Sequence, residues 1–268
     1  VRTPGVLDAA EEWNLIARFA LGLTKEDVAR DPEQALSNAA VEKCSGILDA
    51  RRCGEPLAYA VGKAFFCGRE FVVDKRVLIP RPETESLVEA ARAFLAARQG
   101  ARVLDIGTGS GCIAITLALD FPDARVTATD VSVDALDVAR ENARRLKATR
   151  NLRFLPCDVY GCLDARERFD LIVSNPPYVS NIDDLDDSVR RHEPMSALLA
   201  GERGTAFHRR IIAGHERLAS EGSMILEMAP EQKKIIERLA QATGAFAKPA
   251  FLRDLNGEFR VAVLTRQG

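Results

Sequence analysis

The chain has 268 residues with 47% hydrophobic and 28% charged content, enough to bury a sizeable core and ordinary for a globular protein. A formal net charge of -2 and a pI near 6.1 argue against a protein whose main affinity comes from neutralising phosphates. No uninterrupted apolar run is long enough for a bilayer, and the first residues lack a basic-then-apolar leader, so a cytoplasmic protein with no membrane contact is expected.

From Asp8 to about Ala60 the chain reads as helical. Leu15, Ile16, Phe19 and Leu23 recur at helical spacing, Thr24 has the character of an N-cap, and Pro32 is expected to open a further helix. Trp13, the single tryptophan, falls on the apolar side of the first helix and is expected in the core. Between Ala64 and Ile79 the composition turns to Phe65, Phe66, Phe71, Val72, Val73, Val77 and Leu78 around Gly68, which predicts a β-hairpin linking two domains. Pro80-Arg81-Pro82-Glu83-Thr84 stops it, and Leu87, Val88, Ala91, Phe94 and Leu95 mark one face of the next helix.

Strands and helices then alternate. The expected strands are Arg102 to Ile106, Arg125 to Thr129, Leu152 to Leu155, Phe169 to Val173, Ser223 to Glu227, a weaker Ala245 to Phe251, and Phe259 to Leu264. Helix-length connections between them imply right-handed crossovers and a largely parallel, doubly wound α/β sheet.

The first of these strands runs into Asp105-Ile106-Gly107-Thr108-Gly109-Ser110-Gly111, and Asp130 ends the second. Glycines at this position allow a tight strand-to-helix turn and close approach of main-chain amides to a ligand, while an acid after the next strand accepts hydrogen bonds from ribose hydroxyls. Alone, such a loop can be only a turn; with Asp130 it suits an adenosine-containing cofactor. Cys112 stands where a dinucleotide fingerprint wants Gly or Ala, which weakens a nicotinamide reading. Asp158, after the third strand, can reach an adenine amino group or simply face water.

The fourth strand ends in Asn175-Pro176-Pro177-Tyr178. Asn175 has a side-chain carbonyl, and Pro176 has a main-chain carbonyl without an amide hydrogen, so both can accept from one NH₂ group. Holding both hydrogens aims a planar amide nitrogen at an electrophile, and the Tyr178 ring can cover it. The electrophile that fits is the sulfonium methyl of S-adenosylmethionine, which needs positioning more than a strong base.

His192, His208 and His215 have no metal-ligand spacing, no metal site is expected, and surface or capping roles are assigned to all three. Six cysteines (Cys44, Cys53, Cys67, Cys112, Cys157, Cys162) form no CxxC pair and are read as free thiols. The stretch from Val179 to Ala200 carries Asp183, Asp184, Asp186 and Asp187, and is read as a long irregular connection that either meets a basic protein partner or is merely solvated.

At Asn175 to Tyr178 the chain resembles the amino-methyltransferases of DNA adenine, rRNA guanine and protein glutamine. Gly54 to Tyr59, Ile79 to Glu85, Asp105 to Gly111, Ser174 to Tyr178, Glu193-Pro194 and the late Asp254 to Gly257 with Arg260-Val261 occur in the order found in the peptide-chain release factor glutamine methyltransferases, the HemK/PrmC family. The resemblance runs from about Gly54 onward, and the earlier helices match in character. It implies a class I S-adenosylmethionine-dependent methyltransferase: a helical substrate-recognition domain over 1–62, a hairpin linker over 63–80 and a Rossmann-like catalytic domain over 81–268 with a seven-stranded, mostly parallel sheet. It implies methylation of the glutamine amide in the Gly-Gly-Gln motif of release factors by a monomer without direct nucleic-acid binding. By this resemblance Gly107, Thr108, Gly109, Ser110, Gly111 and Asp130 hold the cofactor with Asp158, Val159 and Asn175, and Asn175, Pro176, Pro177 and Tyr178 hold the substrate amide, braced by Glu193. Val159 departs from the aromatic residue of some relatives, and Met228-Ala229-Pro230 from their glycine-containing segment. Arg81 can contact cofactor, substrate or neither. A ribosomal-protein glutamine methyltransferase, a nucleic-acid amino-methyltransferase and a non-catalytic scaffold stand as alternatives.

Overall fold

The computed structural model describes residues 9–268; Asp8 and the first seven residues of the 1–62 segment lie outside the described residues. The helical part comprises α1 (Ala9–Ile16), continued by a π-helical turn over Ala17–Leu21, α2 (Lys25–Arg30), α3 (Asn38–Arg52) and α4 (Leu57–Val61). Thr24 caps α2 as expected: its hydroxyl accepts from the Asp27 amide at 3.1 Å while Asp27 accepts from the Thr24 amide at 3.0 Å. Pro32 does not open a helix. It sits in a turn, and α3 begins six residues later, where the Ser37 hydroxyl accepts from the Ala40 amide at 3.2 Å and caps the first turn. Ile16, Cys44 and Ile47 form the small core of this part, with Leu57 and Val61 against them. Trp13 is 36% exposed rather than buried. With so few apolar side chains behind it, the helix buries Ile16 and Ala17 and leaves the indole half outside.

The hairpin is shorter than its apolar run suggests: β1 (Lys63–Phe66) pairs antiparallel with β2 (Arg69–Val72). Cys67 and Gly68 turn between them with φ 47° and 73°, the left-handed pair that matches strand twist. Beyond Val72 the chain leaves the ribbon, and Val73, Val77 and Ile79 pack with Tyr59, whose hydroxyl donates to the Val77 carbonyl at 2.6 Å.

The remainder is a seven-stranded sheet. Its elements are α5 (Glu85–Leu95), β3 (Arg102–Ile106), α6 (Cys112–Asp120), β4 (Arg125–Asp130), α7 (Val133–Arg145), β5 (Leu152–Pro156), β6 (Phe169–Ser174), α8 (Asp187–His192), α9 (Gly201–Gly204), α10 (Ala206–Ala213), β7 (Leu218–Glu227), α11 (Lys233–Thr243), β8 (Ala250–Arg253) and β9 (Phe259–Thr265). Strand order is β5-β4-β3-β6-β7-β9-β8; the first five are parallel, and β9 pairs antiparallel with both neighbours. The expected strand over Ala245 to Phe251 is displaced to Ala250–Arg253, because Pro249 has no amide hydrogen for a ladder and only an isolated bridge at Phe246 precedes it. Two apolar layers sandwich the sheet, one built on Leu87, Ile113, Ile115 and Leu117, the other on Ile211, Ile212, Leu218 and Ile236. No helix among the described residues is long and apolar enough to cross a membrane.

Asn142, on α7 and fully buried, ties three parts together. Its Oδ1 accepts from the Val72 amide at 2.7 Å, and its Nδ2 donates to the carbonyls of Val72 and Ser110, both at 2.9 Å. Replacement by Ala removes all three bonds and leaves buried backbone groups unpaired, so Asn142→Ala is expected to lower unfolding free energy by about 2–4 kcal/mol. Chemical denaturation measures it, and an unchanged midpoint would remove this residue from the account of how hairpin and glycine loop are joined.

Candidate functional site

The glycine loop leaves β3 at the sheet's carboxyl edge. Gly107 and Gly109 have φ of 72° and 55°, and a Cβ on either would project into open space, so each needs glycine for its backbone conformation. Gly111, at φ 82°, needs it for packing as well: a Cβ there would lie 2.8 Å from the Ile115 side chain and 3.1 Å from the Ala139 Cβ. Asp130 ends β4 and closes the loop, its Oδ2 accepting from the Gly109 amide and its Oδ1 from the Ser132 amide, both at 2.9 Å. Burial pushes its carboxyl above the usual carboxylate range, against these hydrogen bonds.

Above the loop lies a cleft walled by Gly107, Gly109, Asp130, Val159 and Asn175, with Phe207 and Ile211 on its apolar side. Val131 also lines it and stays 67% exposed, an apolar side chain open to whatever fills the cleft. Open glycines, an acid at the mouth and an apolar flank fit an adenosine-bearing cofactor. Thr108, Ser110 and Gly111, expected among its ligands, do not line the cleft. Thr108 instead donates to Asp105 at 2.7 Å, the Ser110 carbonyl accepts from Asn142, and all three support the loop from behind. Asp158 lines the cleft but pairs with Arg210 at 2.7 Å.

Val159 reaches the cleft in the left-handed region, φ 55°, a strained conformation for a β-branched residue that costs on the order of 1–3 kcal/mol. The turn around it also brings Cys157 and Cys162 together as a disulfide, with Cα atoms 5.3 Å apart. The free-thiol expectation therefore fails for this pair. Spacing alone did not reveal it, because the approach depends on the tight turn in which the Gly161 amide bonds the Asp158 carbonyl at 3.0 Å. Cys44, Cys53, Cys67 and Cys112 are free.

A second pocket, lined by Leu78, Arg81, Asn175, Pro176, Tyr178 and Asp184 among others, opens beyond the first. Asn175 and Pro176 line both, together with Leu78 and Ala197, so the wall between them carries its polar groups on Asn175 and Pro176, while Pro177 faces only the first and Tyr178 only the second. The Ser174 hydroxyl donates to the Ile106 carbonyl at 2.7 Å and fastens the end of β6 to β3. Asn175 Nδ2 donates to the Thr84 hydroxyl at 3.0 Å, which leaves Oδ1 on the other edge of the amide. The Tyr178 hydroxyl donates to Glu227 at 3.0 Å, and its main-chain carbonyl accepts from Gln232 Nε2 at 2.9 Å. Gly204 presses on the same carbonyl: a Cβ there would stand 2.1 Å from it, at φ 75°.

Glu193 is 4% exposed and lines neither pocket. It accepts from the Ile79 amide at 3.1 Å and pairs with Arg81, which does line the second pocket; it braces the wall rather than touching its contents. The Met228-Ala229-Pro230 segment supports the slot indirectly, since the Ala229 amide donates to Gln232 Oε1 at 3.0 Å and so orients the amide that holds Tyr178. The stretch from Val179 to Ala200 is not structureless: it holds α8 and two 3-10 turns, and Val179 and Leu199 bridge across it. His208 is fully buried rather than superficial, its Nε2 2.7 Å from the Glu227 carbonyl.

Glu227, Thr84 and Gln232 were not singled out in the sequence. Glu227 had one visible signal, a charged residue ending the apolar run that begins at Met224. It is completely buried, Oε2 has no hydrogen-bond partner, and burial pushes its carboxyl up to about 7 against the hydroxyls of Thr84 and Tyr178. Among the described residues no group of His, Cys, Asp and Glu is arranged to hold a metal ion.

Comparison with known proteins places this geometry. Residues 84–192 match the methyltransferase small domain, and residues 2–62 match the PrmC N-terminal domain, so family likeness reaches the helical segment as well. The release factor glutamine methyltransferase of Bordetella pertussis is 42% identical over 95% of this chain and 92% of its own. That of Chlorobaculum tepidum is 39% identical over 90% and 85%. In fold alone, a methyltransferase from Pyrococcus furiosus superposes with a TM-score of 0.55 at 21% identity, covering 82% of this chain and 99% of that one. With relatives this similar along nearly its whole length, the chain belongs to the release factor glutamine methyltransferase family.

Proposed function

We propose that this protein transfers a methyl group from S-adenosylmethionine to the side-chain amide nitrogen (N5) of the glutamine in the Gly-Gly-Gln motif of peptide-chain release factors. The observation that carries the reading is the shared wall: Asn175 and Pro176 separate a cleft suited to an adenosine-bearing cofactor from a pocket suited to a planar amide.

In this reading Gly107, Gly109, Asp130, Val131 and Val159 hold the cofactor, with Asp130 accepting from ribose hydroxyls through lone pairs that its two amide contacts leave open. The bound cofactor supplies an electrophilic methyl on a sulfonium with a neutral thioether as leaving group. Asn175 Oδ1 and the Pro176 carbonyl accept the two hydrogens of the glutamine NH₂, drawing electron density toward nitrogen and fixing its line of approach. The Tyr178 ring covers the amide and excludes water. The nitrogen held by Asn175 and Pro176 would take the methyl with the thioether departing, and one of the two held protons would pass to solvent to give the N5-methyl amide. No strong base is required, because the nitrogen becomes acidic once it is alkylated.

The helical segment 1–62 is assigned to substrate recognition, 63–80 to the linker and 81–268 to catalysis, in a cytoplasmic monomer. Asp184 and Asp186 line the second pocket, which favours a basic protein segment over a phosphate backbone and sets aside nucleic acid as acceptor. A ribosomal-protein glutamine would enter the same slot, and labelled cofactor offered with release factor, its Gly-Gly-Gln Gln→Ala variant and ribosomal proteins separates the two. Label on the release factor that vanishes in the variant is expected; label on a ribosomal protein would overturn the substrate, and none anywhere would revive the scaffold reading.

Asn175→Ala is expected to reduce turnover by a factor of about 100 or more while cofactor affinity stays within a few fold, as befits a group that acts on the acceptor in the transition state. Undiminished turnover would remove the acceptor pair from the mechanism. Asp130→Ala has the complementary outcome: calorimetry should show cofactor affinity weakened by about tenfold or more, since a charged hydrogen-bond acceptor is lost along with the order of the glycine loop. An unchanged dissociation constant would take Asp130 out of the site.

A further inference from the structure

The Asn175 amide must present its oxygen to the acceptor and not its NH₂. Two donors facing each other would repel, and an amide is nearly symmetric in shape, so only its hydrogen-bond partners choose between the two flips. The chosen flip rests on Thr84, whose hydroxyl takes the Asn175 Nδ2 hydrogen at 3.0 Å. Thr84 is 2% exposed and has one proton of its own to place. Were that proton aimed at Asn175, the amide would turn over. The acceptor that draws it the other way is the carboxylate of Glu227, which the Thr84 hydroxyl faces and whose Oε2 has no hydrogen-bond partner and so is open to take that proton.

Glu227 also receives the Tyr178 hydroxyl at 3.0 Å. It reaches this place because β6 and β7 run in parallel with Ser174 opposite Leu226, which sets Glu227 beside Asn175 at the sheet edge. A carboxylate accepts and never donates, so with Glu227 ionised the direction of each hydrogen bond is fixed: Asn175 to Thr84, Thr84 to Glu227, Tyr178 to Glu227. Four side chains from three separate segments then have a single arrangement.

We propose that Glu227 is the positioning residue of the slot: as a carboxylate it orders Thr84 and Tyr178, and through Thr84 it locks the Asn175 oxygen toward the acceptor amide. The proposal rests on the reading of the slot as a glutamine-amide site. Other charged groups near Glu227 are Arg260 on β9, which favours the ionised form and is itself paired with Asp254, and Glu83 ahead of α5, which opposes it. His208 on α10 meets the main-chain carbonyl of Glu227, and burial lowers its pKa, keeping the ring neutral. Ionisation of Glu227 around pH 7 therefore sets the order of the slot, and protonation releases it by turning the acceptor into a donor.

The experiment compares the full-length protein with Glu227→Gln, which keeps shape but can donate. In the wild type, kcat on a release factor should fall as pH drops through about 7. In the variant kcat should be lower by about tenfold or more and the acid limb should be absent, while the cofactor dissociation constant stays within about threefold. Thr84→Val should lose a similar factor, and the double variant should be no worse than either single one, as expected for residues acting in one chain. Equal kcat and an unchanged pH profile in Glu227→Gln would overturn the proposal. A second readout needs no acceptor: the Asn175 side-chain NH₂ resonances of the free protein should shift with a midpoint near pH 7 in the wild type and stay fixed in the variant. Fixed resonances in both would overturn the proposal even with an active enzyme. Resonances that titrate in a wild type that methylates no release factor would uphold the network and overturn the substrate reading instead.

Discussion

The parallel pairing of β3 with β6 is the constraint from which the rest of the site follows. Val103 lies opposite Leu171 and Asp105 opposite Val173, so the loops leaving the two strands emerge side by side at one edge. From β3 the sheet grows one way through β4 and β5, and from β6 the other way through β7, so the crossovers part at this seam and leave a crevice above it. The hydroxyl of Ser174 on the Ile106 carbonyl closes the seam just beneath the crevice. A glycine loop and a pair of prolines then line the same cleft. Slipping the register by one residue would move Asn175 away from the wall and turn the inward side chains of β6 to the opposite face.

What surrounds the seam is a set of polar contacts made across long stretches of chain, and this decided how much could be read beforehand. The strands β3, β4, β5 and β6 are legible because each is a short apolar run with its own boundaries, and the glycine loop, Asp130 and Asn175 are legible because they follow those boundaries directly. Thr84, Gln232 and Asn142 are not. Each is a common polar residue in a helical or turn context, and each matters through a partner 54 to 91 positions away, as in the Gln232 to Tyr178, Asn142 to Val72 and Asn175 to Thr84 bonds. Spacing rules see periodicity and local motifs, and a hydrogen bond between distant residues leaves no period. The same reason explains the Cys157–Cys162 bridge and the buried His208, both set by turns and packing rather than by residue type.

The helical segment illustrates the opposite case, in which local rules were followed and the tertiary outcome still differed. Thr24 capped its helix as its sequence suggests, but Pro32 gave way to Ser37, since a cap with a free hydroxyl satisfies an exposed helix amide and a proline merely tolerates the lack of one. Trp13 keeps the periodic position that would bury it in a thicker domain. Here the layer behind it is only a few side chains deep, and the structure spends its small core on Ile16, Cys44 and Ile47. Phe19 and Phe65 stack at 5.1 Å, an aromatic contact that joins this segment to the hairpin beside the cluster that Tyr59 forms with Ala64, Val73 and Val77.

The two deepest acids among the described residues, Asp105 and Glu227, lie at or near the ends of β3 and β7, the strands on either side of β6, and each is buried with one carboxylate oxygen unpartnered. Burial raises both from their ordinary values of 3.8 and 4.5 to about 7. Between those limits the folded protein binds protons that the unfolded chain has released, so these groups stabilise the fold at low pH and that stabilisation is lost as pH rises through the window toward 7. A chain selected for stability alone would replace them with apolar residues of similar volume. Glu227 is retained at the place where a fixed acceptor decides which way an asparagine amide points. Asp105 likewise receives the Thr108 hydroxyl at 2.7 Å, at the root of the glycine loop. The charged form that gives each loop a single arrangement is also the form that weakens the fold, and such opposition between stability and order is expected where geometry, rather than a strong base, carries the chemistry.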